Sequence, residues 1–306
     1  MSKRYLALFP GQGSQKVGMG KDLVDSSARA QEIFSRARSA LGFDLSDICF
    51  NGPEDALTAT AVAQPALLTM STICFEEAVA RGLTPVAGAG HSLGEYSALV
   101  AAGALRFEDA VLLVHQRGRY MQEAVAAGAG KMVAVLGKEV SEIETALKSL
   151  GAGVAEIAND NAPGQIVVAG DSEGITEFQK IMAGAKMIEL KVSAPFHCRL
   201  MKRAEEALRK DLATLSISEP RFPVISNYFA QALSDVEKIR ESLALQVCGR
   251  VRWVESMRYA IATYTPECAV EIGSGTVLSG LMKRIAPEIE RSSIGNSAEV
   301  AAFHHP

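Results

Sequence analysis

The sequence predicts an α/β protein in which a parallel sheet covered by helices is interrupted once by a smaller unit of strands and helices. Three observations predict it. Short apolar runs alternate with helical periods from Tyr5 to Ala126, the rhythm of a parallel sheet. Between Lys131 and Val192 the order becomes strand, helix, strand, strand, helix, strand, the βαββαβ signature of a ferredoxin-like unit. After His197 the first rhythm resumes, so the small unit is an insertion entered near Gly128 and left near Ser193. The expected division is a large domain of residues 1–127 and 194–306 and a small domain of residues 128–193.

Each element follows from local pattern. Residues 5–9 are an apolar run stopped by Pro10-Gly11 and form the opening strand. Residues 28–41 and 64–80 carry helical periodicity, residues 86–89 are small and apolar as in a buried strand, and residues 107–126 make a long helix. In the small unit, strands are expected at 132–136, 154–158, 166–169 and 186–192, with helices at 140–150 and 175–182. The remainder predicts a helix at 199–215, a strand at 224–226, helices at 236–245 and 254–263, a strand at 269–272 and a helix at 277–285. Residues 301–306 read as a loose tail, and there is no internal repeat or low-complexity tract.

Composition limits the setting. With 306 residues and 48% hydrophobic content the chain can bury a large core. A net charge of −4 gives no reason to expect a nucleic-acid partner. The five cysteines are scattered, odd in number and without a C-x-x-C pair, which points to reduced thiols rather than disulfides or zinc ligands. The first apolar run is too short for a signal-peptide core, and no window approaches a membrane span. A cytoplasmic protein with no membrane partner is expected.

The residues that carry chemistry begin at Gly90-His91-Ser92-Leu93-Gly94, a Gly-x-Ser-x-Gly segment between a strand and a helix. Glycines on either side let the chain turn sharply, so that the Ser92 hydroxyl projects above the sheet at a helix N-terminus, where free N–H groups can bind an oxyanion. The alternative is a helix-capping serine in a glycine-rich turn. A nucleophilic serine needs a base. His91 is its neighbour on a tight turn and points elsewhere, His115 lies within a helix where a structural role is commoner, and His304 and His305 sit in the tail. His197 remains, held at a bend by Pro195.

Arg117 is a charge in the wrong place. Ala110, Val111, Val114, Gly118, Met121 and Val125 share one apolar arc of the long helix, and Arg117 sits on its edge. A buried guanidinium needs an anion. That anion is either an internal Asp or Glu or the carboxylate of a substrate, gripped through two parallel hydrogen bonds. Gly11-Gln12-Gly13-Ser14-Gln15 fails both nucleotide tests: the third glycine of a dinucleotide fingerprint would be Lys16, and Gly20-Lys21 lacks both the preceding glycine and the following Ser or Thr of a P-loop.

Phe9 to Gln15, Gln64-Pro65-Ala66, Gly90 to Ala98, Arg117-Gly118 with Met121-Gln122, residues 159–165 and Pro195-Phe196-His197 together resemble the malonyl-CoA:acyl carrier protein transacylases, the acyltransferase family of fatty acid and polyketide synthesis. The resemblance runs end to end. It implies an α/β-hydrolase-like large domain with a ferredoxin-like insertion, and acylation of Ser92 with His197 as base. It further implies an oxyanion hole from the amides of Gln12 and Leu93, and a His197 oriented by the main-chain carbonyl of Gln246. Arg117 would then bind the malonyl carboxylate, with Met121, Asn159 and Phe196 also against the substrate. Phe196 resembles the malonyl-selective version and would crowd an α-methyl group, the distinction from a methylmalonyl enzyme. Ser274 and Thr276 depart from the family, which commonly shows Pro and Lys there.

The reaction so implied is ping-pong, from malonyl-CoA through a malonyl-Ser92 ester to the thiol of acyl carrier protein. It needs neither metal nor redox cofactor; coenzyme A enters as thioester substrate. A monomer is expected. A serine hydrolase is the first rival, but an α/β-hydrolase places its histidine late, and 109 residues follow His197 here. A carrier-binding module would need no Ser92–His197 pair. Arg199, Lys202 and Arg203 share a helix face beside His197 and could receive an acidic carrier, or could be an ordinary solvated face.

Overall fold

The computed structural model describes residues 3–126 and 128–303. In chain order the elements are β1 (Tyr5–Phe9), α1 (Lys21–Ser26), α2 (Ala28–Leu41), α3 (Leu45–Asn51), α4 (Glu54–Thr58), α5 (Thr60–Val79), β2 (Pro85–Gly90), α6 (Leu93–Ala101) and α7 (Phe107–Glu123). A second group follows: β3 (Gly130–Leu136), α8 (Val140–Lys148), β4 (Ala155–Ala162), β5 (Gln165–Asp171), α9 (Ser172–Ile181) and β6 (Lys186–Glu189). The chain then continues through α10 (Lys202–Thr214), β7 (Val224–Ile225), β8 (Ala232–Leu233), α11 (Val236–Leu245), α12 (Trp253–Tyr264), β9 (Cys268–Ile272), α13 (Val277–Ile285), β10 (Glu290–Ile294) and α14 (Ser297–Ala302).

The strands form two sheets. The first has the order β10-β9-β1-β2-β7-β8 and is parallel except for β8, which runs antiparallel to β7. The second, β4-β5-β3-β6, is antiparallel throughout. Alternation along β1 shows why the first sheet is covered on both faces. Leu6 and Leu8 pack with Trp253, Met257, Leu278 and Met282 of α12 and α13, while Tyr5, Ala7 and Phe9 join the larger core. The second sheet alternates likewise: Val133, Val135, Ile166 and Val168 pack with Ile143 of α8 and Phe178 of α9, while Met132 and Val167 turn to the larger core.

Helix α5 is buried almost all round and packs on α6 and α7. It contains Pro65, which has no N–H to give to the carbonyl of Ala61 four residues back. That carbonyl instead accepts a hydrogen bond from His115 Nδ1 of α7 at 2.7 Å, the structural role expected for this histidine.

Several expectations need correction. The long helix ends at Glu123, so 124–126 lie beyond it, and Ala127 lies outside the described residues. The strand expected over 186–192 stops at Glu189. The short helices α1, α3 and α4 and strands β8 and β10 lacked a readable apolar period. Ala301 and Ala302 belong to α14 rather than to a tail, because the Asn296 side chain accepts from Glu299 N at 2.9 Å and Glu299 accepts from Gly295 N at 2.7 Å, a reciprocal cap. Residues 304–306, with His304 and His305, lie outside the described residues. Among the described residues, no helix is long and apolar enough to cross a membrane.

Candidate active site

Strands β1 and β2 lie side by side at the centre of the first sheet, with Phe9 opposite Gly90, so both chains leave the sheet at the same carboxyl edge. Such an edge collects functional loops in parallel sheets. After β2 the chain turns into α6 within two residues. A Cβ on Gly90 would lie 1.9 Å from the Gly94 carbonyl group, and one on Gly94 would lie 2.0 Å from the Phe9 carbonyl oxygen, so only glycine permits the approach. Between them Ser92 takes φ 50°, ψ −105°. A non-glycine residue held there costs roughly 1–3 kcal/mol, which the surroundings must offset.

The strain places the Ser92 hydroxyl against a base. Ser92 Oγ lies 2.8 Å from His197 Nε2. His197 Nδ1 lies 2.8 Å from the main-chain carbonyl of Gln246, which can only accept, so Nδ1 carries the proton and Nε2 is free to take one from Ser92. Among the described residues no carboxylate meets Nδ1; a peptide carbonyl holds the ring. His197 also has positive φ, 60°, and is buried. Burial foremost, then the Arg117 cation, push its pKa down to about 3, so the imidazole is neutral at ordinary pH.

Arg117 projects from α7 into this centre and is 1% exposed. It donates from Nη1 to Gln64 Oε1 at 2.7 Å, and from Nη2 to Gln246 Oε1 at 2.9 Å and Ser92 Oγ at 3.1 Å, and it lies 5.3 Å from the Tyr96 ring centroid. Among the described residues no Asp or Glu forms an ion pair with it, and its Nε–H has no partner. The nearest anionic connection is indirect: the Gln246 side-chain amide, which accepts from Arg117, donates from Nε2 to Glu95 Oε2 at 2.8 Å. Burial raises the Glu95 pKa to about 7.

A cavity of about 390 Å³ opens over the Ser92–His197 pair, with Arg117 in its wall. Gln12, Leu93, Met121, Asn159 and Phe196 line it as well. The Gln12 and Leu93 amides have no acceptor among the described residues, and the Gln12 side chain donates to Thr60 Oγ1 at 3.3 Å. Gln246 lies behind the cavity and acts on it through both its carbonyl and its side chain. His91 also reaches the cavity wall, but its Nε2 is paired with Asn161 Oδ1 at 2.8 Å, not with Ser92. Sequence reasoning gave no role to Gln64 or Glu95, although both fall in quoted motifs, and missed Asn227 altogether. The basic face beside His197 is partly spent: Arg199 pairs with Glu156 and Lys202 with Glu205, which leaves Arg203 exposed and without an ion pair among the described residues.

Comparison with known proteins gives the family. The acyl transferase domain family matches residues 7–283. The chain is 42% identical over 294 residues to the malonyl CoA-acyl carrier protein transacylase of Bacillus subtilis, covering 94% of this chain and 92% of that protein. To its counterpart from Escherichia coli K12 it is 40% identical over 304 residues, covering 98% of both. The solved malonyl CoA-acyl carrier protein transacylase of Coxiella burnetii superposes with a TM-score of 0.95 at 40% identity, over 99% of this chain and 97% of the other. A malonyl-transacylase in complex with its type II PKS acyl-carrier protein superposes at 0.94, with 37% identity and 98% of both chains covered. The chain belongs to the acyl transferase family, among the malonyl CoA-acyl carrier protein transacylases.

Proposed function

We propose that the chain is an acyl carrier protein S-malonyltransferase, which moves malonyl from coenzyme A to the phosphopantetheine thiol of acyl carrier protein in fatty acid biosynthesis. The observation that carries the reading is the meeting of two groups on one hydroxyl. Ser92 Oγ is within hydrogen-bond reach of a neutral imidazole and of a buried guanidinium that has no carboxylate partner among the described residues.

Malonyl-CoA enters with its free carboxylate on Arg117. His197 Nε2 takes the Ser92 proton as Oγ attacks the thioester carbonyl, and the oxyanion forms against the Gln12 and Leu93 amides. The tetrahedral adduct collapses with loss of the coenzyme A thiolate, which takes the proton from the imidazolium. The carrier thiol then gives its proton to His197, attacks the malonyl ester, and Ser92 recovers the proton as the thioester forms. Arg117 depresses the His197 pKa in the resting site. A bound malonyl carboxylate offsets that charge, so the base strengthens when the right substrate is seated. Acetyl-CoA brings no such anion.

Met121, Asn159 and Phe196 shape the acyl subsite, and Phe196 limits bulk at the α-carbon. The division into an α/β-hydrolase-like domain (residues 1–127 and 194–306) and a ferredoxin-like domain (128–193) is part of this reading. Its support is the order β3-α8-β4-β5-α9-β6, with strands arranged β4-β5-β3-β6 and two helices on one face. The enzyme acts in the cytoplasm as a monomer, and the steps above call on no metal or redox group. The test separates the half-reactions: enzyme acylated by malonyl-CoA and freed of it should pass malonyl to carrier protein. An acylated enzyme that releases only malonate would refute transfer.

A further inference from the structure

Asn227 lies just past β7, which pairs with β2 at Gly88 and Ala89 and there stops. Beyond that point its side chain takes over from the ladder. Asn227 Oδ1 accepts from Ser92 N–H at 2.6 Å, and Asn227 Nδ2 donates to the Gly90 carbonyl at 2.7 Å. One amide therefore spans both sides of His91. The Asn227 backbone N–H donates to Glu95 Oε2 at 2.9 Å, and its carbonyl accepts from Arg252 N at 3.1 Å. Three of its four hydrogen-bonding groups are thus spent on residues 90–95, and the residue is 1% exposed.

We propose that Asn227 is a positioning residue for acyl transfer: its side-chain amide clips Gly90 and Ser92 and holds the nucleophile in the strained backbone conformation from which Oγ reaches His197. The inference rests on the reading that Ser92 is acylated. Asn227 touches no reacting atom. Ser92 precedes the first turn of α6 and so has no carbonyl within that helix for its N–H, and without an acceptor for that group the strained turn relaxes and moves Oγ. A displacement near 1 Å at a reacting atom costs on the order of 100-fold in rate.

The experiment uses Asn227→Ala and the isosteric Asn227→Asp, which keeps an acceptor for Ser92 but sets oxygen against the Gly90 carbonyl. Rates are expressed per folded molecule, with the folded fraction taken from thermal melts. Should the alanine variant fail to fold, the aspartate variant carries the test. The single-turnover rate of Ser92 acylation by malonyl-CoA should fall at least tenfold in each, with KM changed less than twofold. Labelling of Ser92 by a fluorophosphonate, which does not use Arg117, should slow in parallel. Wild-type rates in both assays for the folded variants, or a change confined to KM, would overturn the positioning role. Failure of the underlying reading looks different: wild-type protein would take no malonyl group on Ser92.

Discussion

Replacing Arg117 by alanine should abolish the distinction between malonyl and acetyl thioesters. The side chain makes three hydrogen bonds, at 2.7, 2.9 and 3.1 Å, and stands in the cavity wall without a carboxylate partner among the described residues. Truncation removes the cation that malonyl would meet and orphans Gln64 Oε1 and Gln246 Oε1, so some stability is lost whatever the substrate. The ratio of kcat/KM for malonyl-CoA to that for acetyl-CoA cancels this common loss. Loss of a charge-assisted bidentate contact is worth about 1.5–3 kcal/mol, so the ratio should fall roughly ten- to over a hundredfold. Removing the cation also relieves His197 of the charge that lowers its pKa, which favours acetyl transfer in the variant. Arg117→Lys should restore little, because one ammonium cannot reproduce the planar fork. The assay is acyl-enzyme formation with each thioester on protein shown to be folded. An unchanged ratio alongside a lower melting temperature would refute the carboxylate clamp and leave Arg117 a structural role.

Three other outcomes follow from the geometry. His197→Ala should slow acylation by roughly 10²–10⁴, measured in a single turnover, whereas His115→Ala should do less harm at equal stability. His197 also links stability to pH: between its unfolded value of 6.5 and its folded value of about 3 only the unfolded chain takes the proton, so acid destabilises the fold. Glu95, raised from 4.5 to about 7, works the other way in its own window, since there only the folded chain holds the proton. Urea melts of His197→Gln and wild type should therefore diverge in favour of the variant as pH falls below 6.5, by up to about 1.4 kcal/mol per unit; a constant difference would contradict the buried neutral imidazole. Arg203→Glu should slow transfer to acyl carrier protein, most at low salt, and spare acylation by malonyl-CoA. Equal effects on both steps would count against a carrier contact there.

Much of the site is legible because its constraints are local. Gly90 and Gly94 announce the elbow, and the few histidines leave His197 by elimination. Arg117 stands out because one charge interrupts an apolar arc. The Gln246 carbonyl came only through resemblance, since a main-chain acceptor leaves no mark in side-chain chemistry. Asn227 is hidden for another reason: it follows a two-residue strand, too short to show a period, and its role depends on the pairing of β7 with β2, a contact between residues more than 130 positions apart. Strand β10, Glu-Arg-Ser-Ser-Ile, lies at the sheet edge and is polar at most positions, so hydrophobicity could not find it. The basic face near His197 was read from spacing alone; Glu156 and Glu205, which neutralise two of its cations, become visible as partners only in three dimensions.

The central claim is that Ser92 carries the acyl group between two thiols. Intact-mass measurement after brief incubation with malonyl-CoA tests it most directly, on wild type and on Ser92→Ala, whose elbow backbone is still set by Gly90 and Gly94. The wild-type protein should gain one malonyl group per chain and lose it when acyl carrier protein is added, while the alanine variant stays at its unmodified mass. A malonyl adduct on the folded alanine variant, or none on wild type, would contradict the account.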